Sequence, residues 1–104
     1  MFVVLYRWKI DPEREEQFIK SWSEITGFYL DNLDSLGSRL HKGNDGLWYG
    51  YAQWRSAKQR DDAFRRYDDK PSDDPLTKVR KEMSDAILER LPEIPLKVVS
   101  DHLK

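Results

Sequence analysis

The chain contains no cysteine. Disulfides, thiolate nucleophiles and cysteine-ligated metals are therefore excluded. It also lacks a surplus of either charge: 18 basic residues stand against 19 acidic ones, a formal net charge of −1. A nucleic-acid or anionic-membrane partner would draw on a basic surplus or patch, so neither is expected. No apolar run approaches the roughly 20 residues that span a bilayer. The amino-terminal "MFVVLYRWKI" has no basic leader and no cleavage site, and reads as a strand rather than a signal peptide. A soluble cytoplasmic protein is expected. The two histidines, His41 and His102, have no carboxylate at ligand spacing, so no metal site is expected. There is no Gly-rich phosphate loop, no paired-carboxylate signature and no Ser-His-Asp pattern.

Aromatic residues, by contrast, are plentiful: 4 Trp, 5 Tyr and 4 Phe in 104 residues. A chain of this length builds one domain with one modest core. That core does not need so many rings. The surplus apolar surface belongs at a subunit interface or in a ligand cavity.

The first strand alternates, with Phe2, Val4, Tyr6, Trp8 and Ile10 on one face. Asp11-Pro12 then supplies an N-cap and a first-turn proline. Phe18, Trp22, Ile25 and Tyr29 recur at helical spacing, predicting a helix from about Pro12 to Asn32. Gly37 marks the return of the chain. "SRLHKGNDGLWYGYAQW" is a hairpin turning at Gly43-Asn44-Asp45-Gly46. Ser56 with Gln59 three residues on is a capping box, opening a helix whose apolar side is Ala63, Phe64 and Tyr67. "DDKPSDDP" breaks the chain. Asp74-Pro75 starts another helix, with Leu76, Val79, Met83 and Ile87 as its stripe and "LPEIP" as its end. "IPLKVVS" is the last strand, and Pro95 places its start at a sheet edge.

The order β-α-β-β-α(α)-β is a ferredoxin-like α+β arrangement: one domain, an antiparallel sheet, helices on one face. The other sheet face carries Val3, Leu5, Tyr49 and Tyr51 and needs a cover. The simplest cover is a second copy, giving a homodimer that meets sheet against sheet. On the helix-facing side of the third strand, Gly50 and Ala52 lie between the indoles of Trp48 and Trp54. Two small residues between two large ones let a helix pack very close, or leave a hollow for a ligand.

The stretch "GSRLHKGNDGLWYGYAQWRS", above all its "YAQW-x-S" exit and its "GSRLH" opening, resembles the antibiotic biosynthesis monooxygenase family. The pattern covers essentially the whole chain, and the specific match about twenty residues. The resemblance implies a dimeric α+β barrel. Some members of this mixed superfamily are cofactor-free oxygenases, in which an acidic phenol or its enolate reacts with O₂ in a dry pocket. The resemblance places Trp54 at the strand-end tryptophan and Arg80 where a helix arginine points into the pocket. Two positions depart from it. Gly50 stands where an asparagine would polarise the substrate, and Arg60 where a helix tyrosine would be. The superfamily also holds haem-degrading enzymes, but the helix after "AQW-x-S" has no histidine to ligate iron.

The leading expectation is a cofactor-independent oxygenase-like enzyme acting on a small, planar, aromatic or enolisable compound. Arg80 would hold an oxyanion, and His41, the only strand histidine, would move a proton. Trp54, Trp22, Trp48, Gly50 and Tyr6 would line the substrate site. The alternative is a non-catalytic dimeric module that binds a small apolar molecule. Each candidate also has a plain structural reading. Trp54, Trp22 and Tyr6 suit a core, Arg80 suits a snorkelling surface arginine, and His41 suits a surface or interface position.

Overall fold

Nine residues rich in β-branched and aromatic side chains, Phe2–Ile10, form the first strand, β1, with a partner on each side. The structure is a computed structural model that describes residues 1–69 and 73–103. β1 leads through a short 3₁₀ turn, Pro12–Arg14, into helix α1, Glu15–Asn32. A hairpin of β2 (Ser38–Lys42) and β3 (Trp48–Trp54) follows. Helices α2 (Ala57–Asp68) and α3 (Pro75–Asp85) lead to strand β4 (Ile87–Lys97). The sheet order is β2-β3-β1-β4, antiparallel throughout. This is the expected α+β, ferredoxin-like topology.

The caps act where the sequence places them. Asp11 Oδ1 accepts from the Glu13 amide at 3.0 Å, Asp74 Oδ1 from the Leu76 amide at 2.8 Å, and Ser56 Oγ from the Gln59 amide at 3.1 Å. At the hairpin, Gly46 takes φ +84°, and the Gly43 amide bonds the Leu47 carbonyl at 2.7 Å. A left-handed residue after the turn suits glycine.

Two boundaries differ from expectation. The first helix begins at Glu15, because the Arg14 amide bonds back three residues to the Asp11 carbonyl at 2.9 Å, which is 3₁₀ geometry. The last strand begins at Ile87 and not near "IPLKVVS". The Asp11 amide bonds the Ala86 carbonyl at 2.9 Å, pinning the end of α3 beside the end of β1. From there Ile87 pairs with Ile10 and Glu89 with Lys9. Ile87 therefore belongs to the sheet and not to the helical stripe. Around Pro92 the register slips, and its free carbonyl accepts from the Arg7 guanidinium at 2.9 Å. β4 is an edge strand, so it tolerates prolines that a central strand would not. Lys70, Pro71 and Ser72, the middle of the expected break, lie outside the described residues.

The helix-facing side of the sheet carries two clusters. One joins Val4, Ala52 and Trp54 to Ile25, Leu33, Ala63 and Tyr67. The other joins Trp8, Ile10 and Trp48 to Phe18 and Ala86. Phe18 is fully buried, with its ring edge-on to Trp8 at 5.2 Å and to Trp48 at 5.8 Å. Such aromatic pairs add about 0.5–1.5 kcal/mol each beyond the area they bury. Tyr6 and Met83 touch both clusters. Between the clusters the core is hollow.

Candidate functional site

The hollow is a cavity of about 270 Å³ between sheet and helices. Its floor is Tyr6 and Trp8 of β1 with Gly50, Ala52 and Trp54 of β3. α1 contributes Trp22 and Tyr29, and α2 contributes Phe64 and Tyr67. Asp68, Arg80, Ser84 and Arg90 add polar groups, all at least partly exposed. The parity of β3 explains the floor. Gly50 and Ala52 are buried together with Trp48 and Trp54, while Tyr49, Tyr51 and Gln53 alternate to the other side.

The space over Gly50 is taken by neither a helix backbone nor open cavity. A Cβ there would stand 2.7 Å from Cη2 and 2.9 Å from Cζ3 of Trp8. Glycine is what lets the Trp8 indole lie across β3. Ala52 remains as part of the cavity floor.

Trp54 is 2% exposed and Tyr67 is 5% exposed. The Trp54 ring meets Tyr29 and Phe64 edge-on at 5.7 and 5.9 Å, and Tyr67 packs on Tyr29 at 5.1 Å. Both bury a polar atom: Tyr67 Oη has no hydrogen-bond partner among the described residues, and Trp54 lies close enough to the Tyr6 hydroxyl to act on it, though without a hydrogen bond of good geometry. Burial of a polar group without a hydrogen bond costs about 1–3 kcal/mol.

Tyr6 is held from α2. Arg60 donates to Tyr6 Oη at 3.2 Å and pairs with Glu93 at 2.6 Å and Asp61 at 2.8 Å. The guanidinium lies over the rings of Phe2 at 5.7 Å and Phe64 at 5.1 Å. Burial opposes its charge, but Glu93, Tyr6 and Asp61 outweigh that and hold it firmly protonated. Arg80 lies over the face of Tyr67 at 4.4 Å and pairs with Asp68 at 2.9 Å.

Burial pushes the Tyr67 phenol up to about 12, against the lowering effect of Arg80. It pushes Tyr29 further up, aided by the neighbouring Tyr67 and Tyr6. Tyr6 is also raised by burial, although Arg60 pulls the other way. All three phenols are therefore neutral hydroxyls near pH 7. Arg90 donates to Ser84 Oγ at 3.1 Å. Its affinity for a proton is lowered by burial and by the like charge of Arg80. The cavity thus offers apolar ring faces, hydrogen-bond donors and two guanidinium groups. It suits a planar molecule that brings acceptor oxygens.

Of the residues singled out in the sequence, Trp54, Trp22, Gly50, Tyr6 and Arg80 come together here. His41 and Trp48 do not. His41 pairs across the hairpin with Tyr49 and is exposed on the opposite sheet face, beside a shallow hollow shared with Arg39 and Tyr51. Its parity carried that signal. Ser38 and Leu40 pair with Ala52 and Gly50, so His41 must face away. Trp48 points to the helices but packs on Phe18, away from the cavity lining. Tyr67 and Arg90 were missed as site residues. Tyr67 stood only as an apolar helix position, and Arg90 was hidden by the misplaced start of β4. Among the described residues, no group of three or more His, Asp or Glu is placed to hold a metal ion. Among the same residues, no helix is long and apolar enough to cross a membrane.

No protein-family profile matches the chain, and no curated protein matches it by sequence. Solved structures do match it in shape. One is a Bordetella bronchiseptica protein named as a candidate antibiotic biosynthesis monooxygenase, with a TM-score of 0.74 at 15% identity over 95% of this chain and 97% of that one. Another of the same description, from Caulobacter crescentus, has a TM-score of 0.71 at 16% identity over 95% and 90%. A NIPSNAP domain protein from Burkholderia xenovorans matches with a TM-score of 0.73 at 10% identity over the whole of both chains. Identities this low speak for the fold alone. In its fold, the chain is similar to proteins described as antibiotic biosynthesis monooxygenases, as the "YAQW-x-S" hairpin suggested.

Proposed function

We propose that this chain is a cofactor-independent, monooxygenase-like enzyme acting on a small planar aromatic or enolisable compound. One observation carries the reading: the aromatic-walled cavity of about 270 Å³ with the guanidinium of Arg80 at its edge. A cavity of about 150 Å³ takes one benzene ring, so this one accommodates one or two fused rings. Trp54, Trp22 and Tyr6 would wall the substrate, and Gly50 would serve by letting the Trp8 indole lie flat beside Ala52 as the floor. Arg80 would stabilise a phenolate or enolate oxygen. In the reaction an activated CH₂ of the ionised substrate reacts with O₂. One oxygen atom ends as a carbonyl on that carbon, and the other leaves as water with both hydrogens. Asp68, the carboxylate in the lining, is tied to Arg80, so the substrate must be acidic enough to ionise by itself. His41, on the other face, has no part in this scheme.

The same proposal includes a homodimer joined through the outer sheet faces, in the cytoplasm. On that side Val3 is already buried within the single chain, beside a hollow lined by Tyr51, Leu96 and the residues after β4, and the half-buried Leu5, Tyr49 and Tyr51 are what a second copy would cover.

A second reading, a non-catalytic binding module, is favoured by the lining itself: its carboxylate, Asp68, is paired with Arg80, and His41 lies on the other sheet face. Oxygen uptake with a panel of anthrone-like and naphthol-like compounds separates the two. Uptake that requires Trp54 and Arg80 supports the enzyme. Binding without uptake leaves the module.

A further inference from the structure

Residues 98–103, after β4, fold back across the outer sheet face, the one turned away from the helices. They border a hollow shared with Val3 of β1 and Tyr51 of β3, and Leu103 reaches a second hollow beside Arg39 and His41 of β2. The fit is loose. The two hollows hold about 700 and about 480 Å³, and Val99 and Leu103 are 91% and 72% exposed. Ordering a segment costs backbone entropy. A segment that covers Val3 but leaves its own apolar side chains in water recovers little of that cost. Something further must lie on it.

Charge says what. Cross-strand pairing puts Arg7 and His41 in one row with Tyr49, and Arg39 in the next with Tyr51, all on the outer face. Arg7 donates to the Pro92 carbonyl, and among the described residues neither arginine is paired with a carboxylate. Two carboxylates border this face, but Asp45 accepts from the Tyr49 hydroxyl and Glu89 lies opposite Lys9. The folded-back segment carries the missing charge. Asp101 is exposed, and only its Oδ1 is engaged, by the Leu103 amide at 2.9 Å. Size agrees. Four strands about 4.8 Å apart and about seven residues long make a flat area of roughly 450 Å². Stable interfaces bury roughly 800 Å² on each partner, so the segment supplies surface that the sheet alone lacks.

We infer that residues 98–103 are an arm of the homodimer interface, whose Val99, Asp101 and Leu103 dock on the outer sheet face of a second copy with Asp101 toward that copy's arginines. This rests on the homodimer of the reading above and adds the segment that secures it. A two-fold axis makes the contact reciprocal: each copy gives one arm and receives one.

The test is sedimentation equilibrium of the intact protein and of Val99→Asp, Leu103→Asp and Asp101→Lys. The expected result is a wild-type dimer whose dissociation constant rises at least about tenfold in each variant. The melting temperature of the dilute, monomeric variants should match that of the dilute wild type, because all three side chains are exposed. Rising salt should weaken the wild-type dimer, and Asp101→Lys should lose that dependence. A dimer indifferent to all three substitutions would overturn the inference and leave the homodimer intact. Tighter dimers in Val99→Asp or Leu103→Asp would also overturn it, since the segment would then be a strap that competes with the second copy. A wild type that stays monomeric at every concentration removes the homodimer and the arm together.

Discussion

The indole of Trp8 lies across the backbone of Gly50, so close that a Cβ at Gly50 would be 2.7 Å from the ring. Trp8 cannot simply move aside, because Phe18 packs on it at 5.2 Å and Tyr6 stacks near it at 6.1 Å. Gly50→Ala should therefore destabilise the protein by about 1–3 kcal/mol, the usual cost of overpacking a core. Any relief must come from the indole swinging into the cavity, which would also block ligand. Thermal unfolding and ligand titration of the same variant check both effects. An unchanged melting temperature would show that the Trp8 contact is loose.

The raised tyrosines predict how stability responds to alkali. An ordinary phenol titrates near about 10, whereas folding pushes Tyr67 up to about 12 and Tyr29 further. Above pH 10 the unfolded chain gives up protons that the folded chain keeps. Stability is then fully present below pH 10 and falls as pH rises through 12. For Tyr67 the loss is on the order of 2–3 kcal/mol. Urea unfolding between pH 8 and pH 12 should show this decline, and Tyr67→Phe should make it shallower.

Arg60 joins α2 to both sheet strands it crosses, through Tyr6 on β1 and Glu93 on β4. Its side chain is 13% exposed, so these contacts are shielded more than surface ion pairs. Arg60→Met should cost about 1–3 kcal/mol by leaving Tyr6 and Glu93 without their partner. Arg60→Lys should recover only part, since one ammonium cannot serve three partners as a planar fork does. Denaturant midpoints for the two variants measure the difference. Equal stability of Lys and Arg here would mean that charge alone matters.

Arg80 is the contrasting case. Its pair with Asp68 is exposed, 41% and 63% for the two side chains, so Arg80→Gln should cost about 1 kcal/mol or less. Its effect should appear instead in binding, as an approximately tenfold loss of affinity for an aromatic anion. His41→Ala should change neither, because His41 is exposed on the far face. A binding defect in His41→Ala would refute the placement of the site between sheet and helices.

Much of this was legible in the residues. Asp11, Ser56 and Asp74 announce their helices because capping is local chemistry, decided within three residues. The alternation of β3 shows which side chains share a face, since a strand has a period of two. The same parity placed His41 away from Gly50 once the hairpin register was known. The start of β4 was less legible. Ile87 fits the stripe of Leu76, Val79 and Met83 as well as a strand, and the choice was made by β1, which offers Ile87 a ladder from Ile10 onward.

By itself, then, the sequence determined the order of elements, their caps and the two faces of the sheet. All of these depend on neighbours a few residues apart. Only the tertiary structure decided that Trp8 fills the space over Gly50. It likewise decided that Trp54 and Tyr67 are buried together against Tyr29 at the border of one cavity. These relationships join β1 to β3 and β3 to α2, between side chains far apart in the chain. Propensity and periodicity carry no information about which distant ring arrives at a given point, or with which edge. That is set when the two clusters close around Tyr6 and Met83, and the hollow between them is what their shapes leave unfilled.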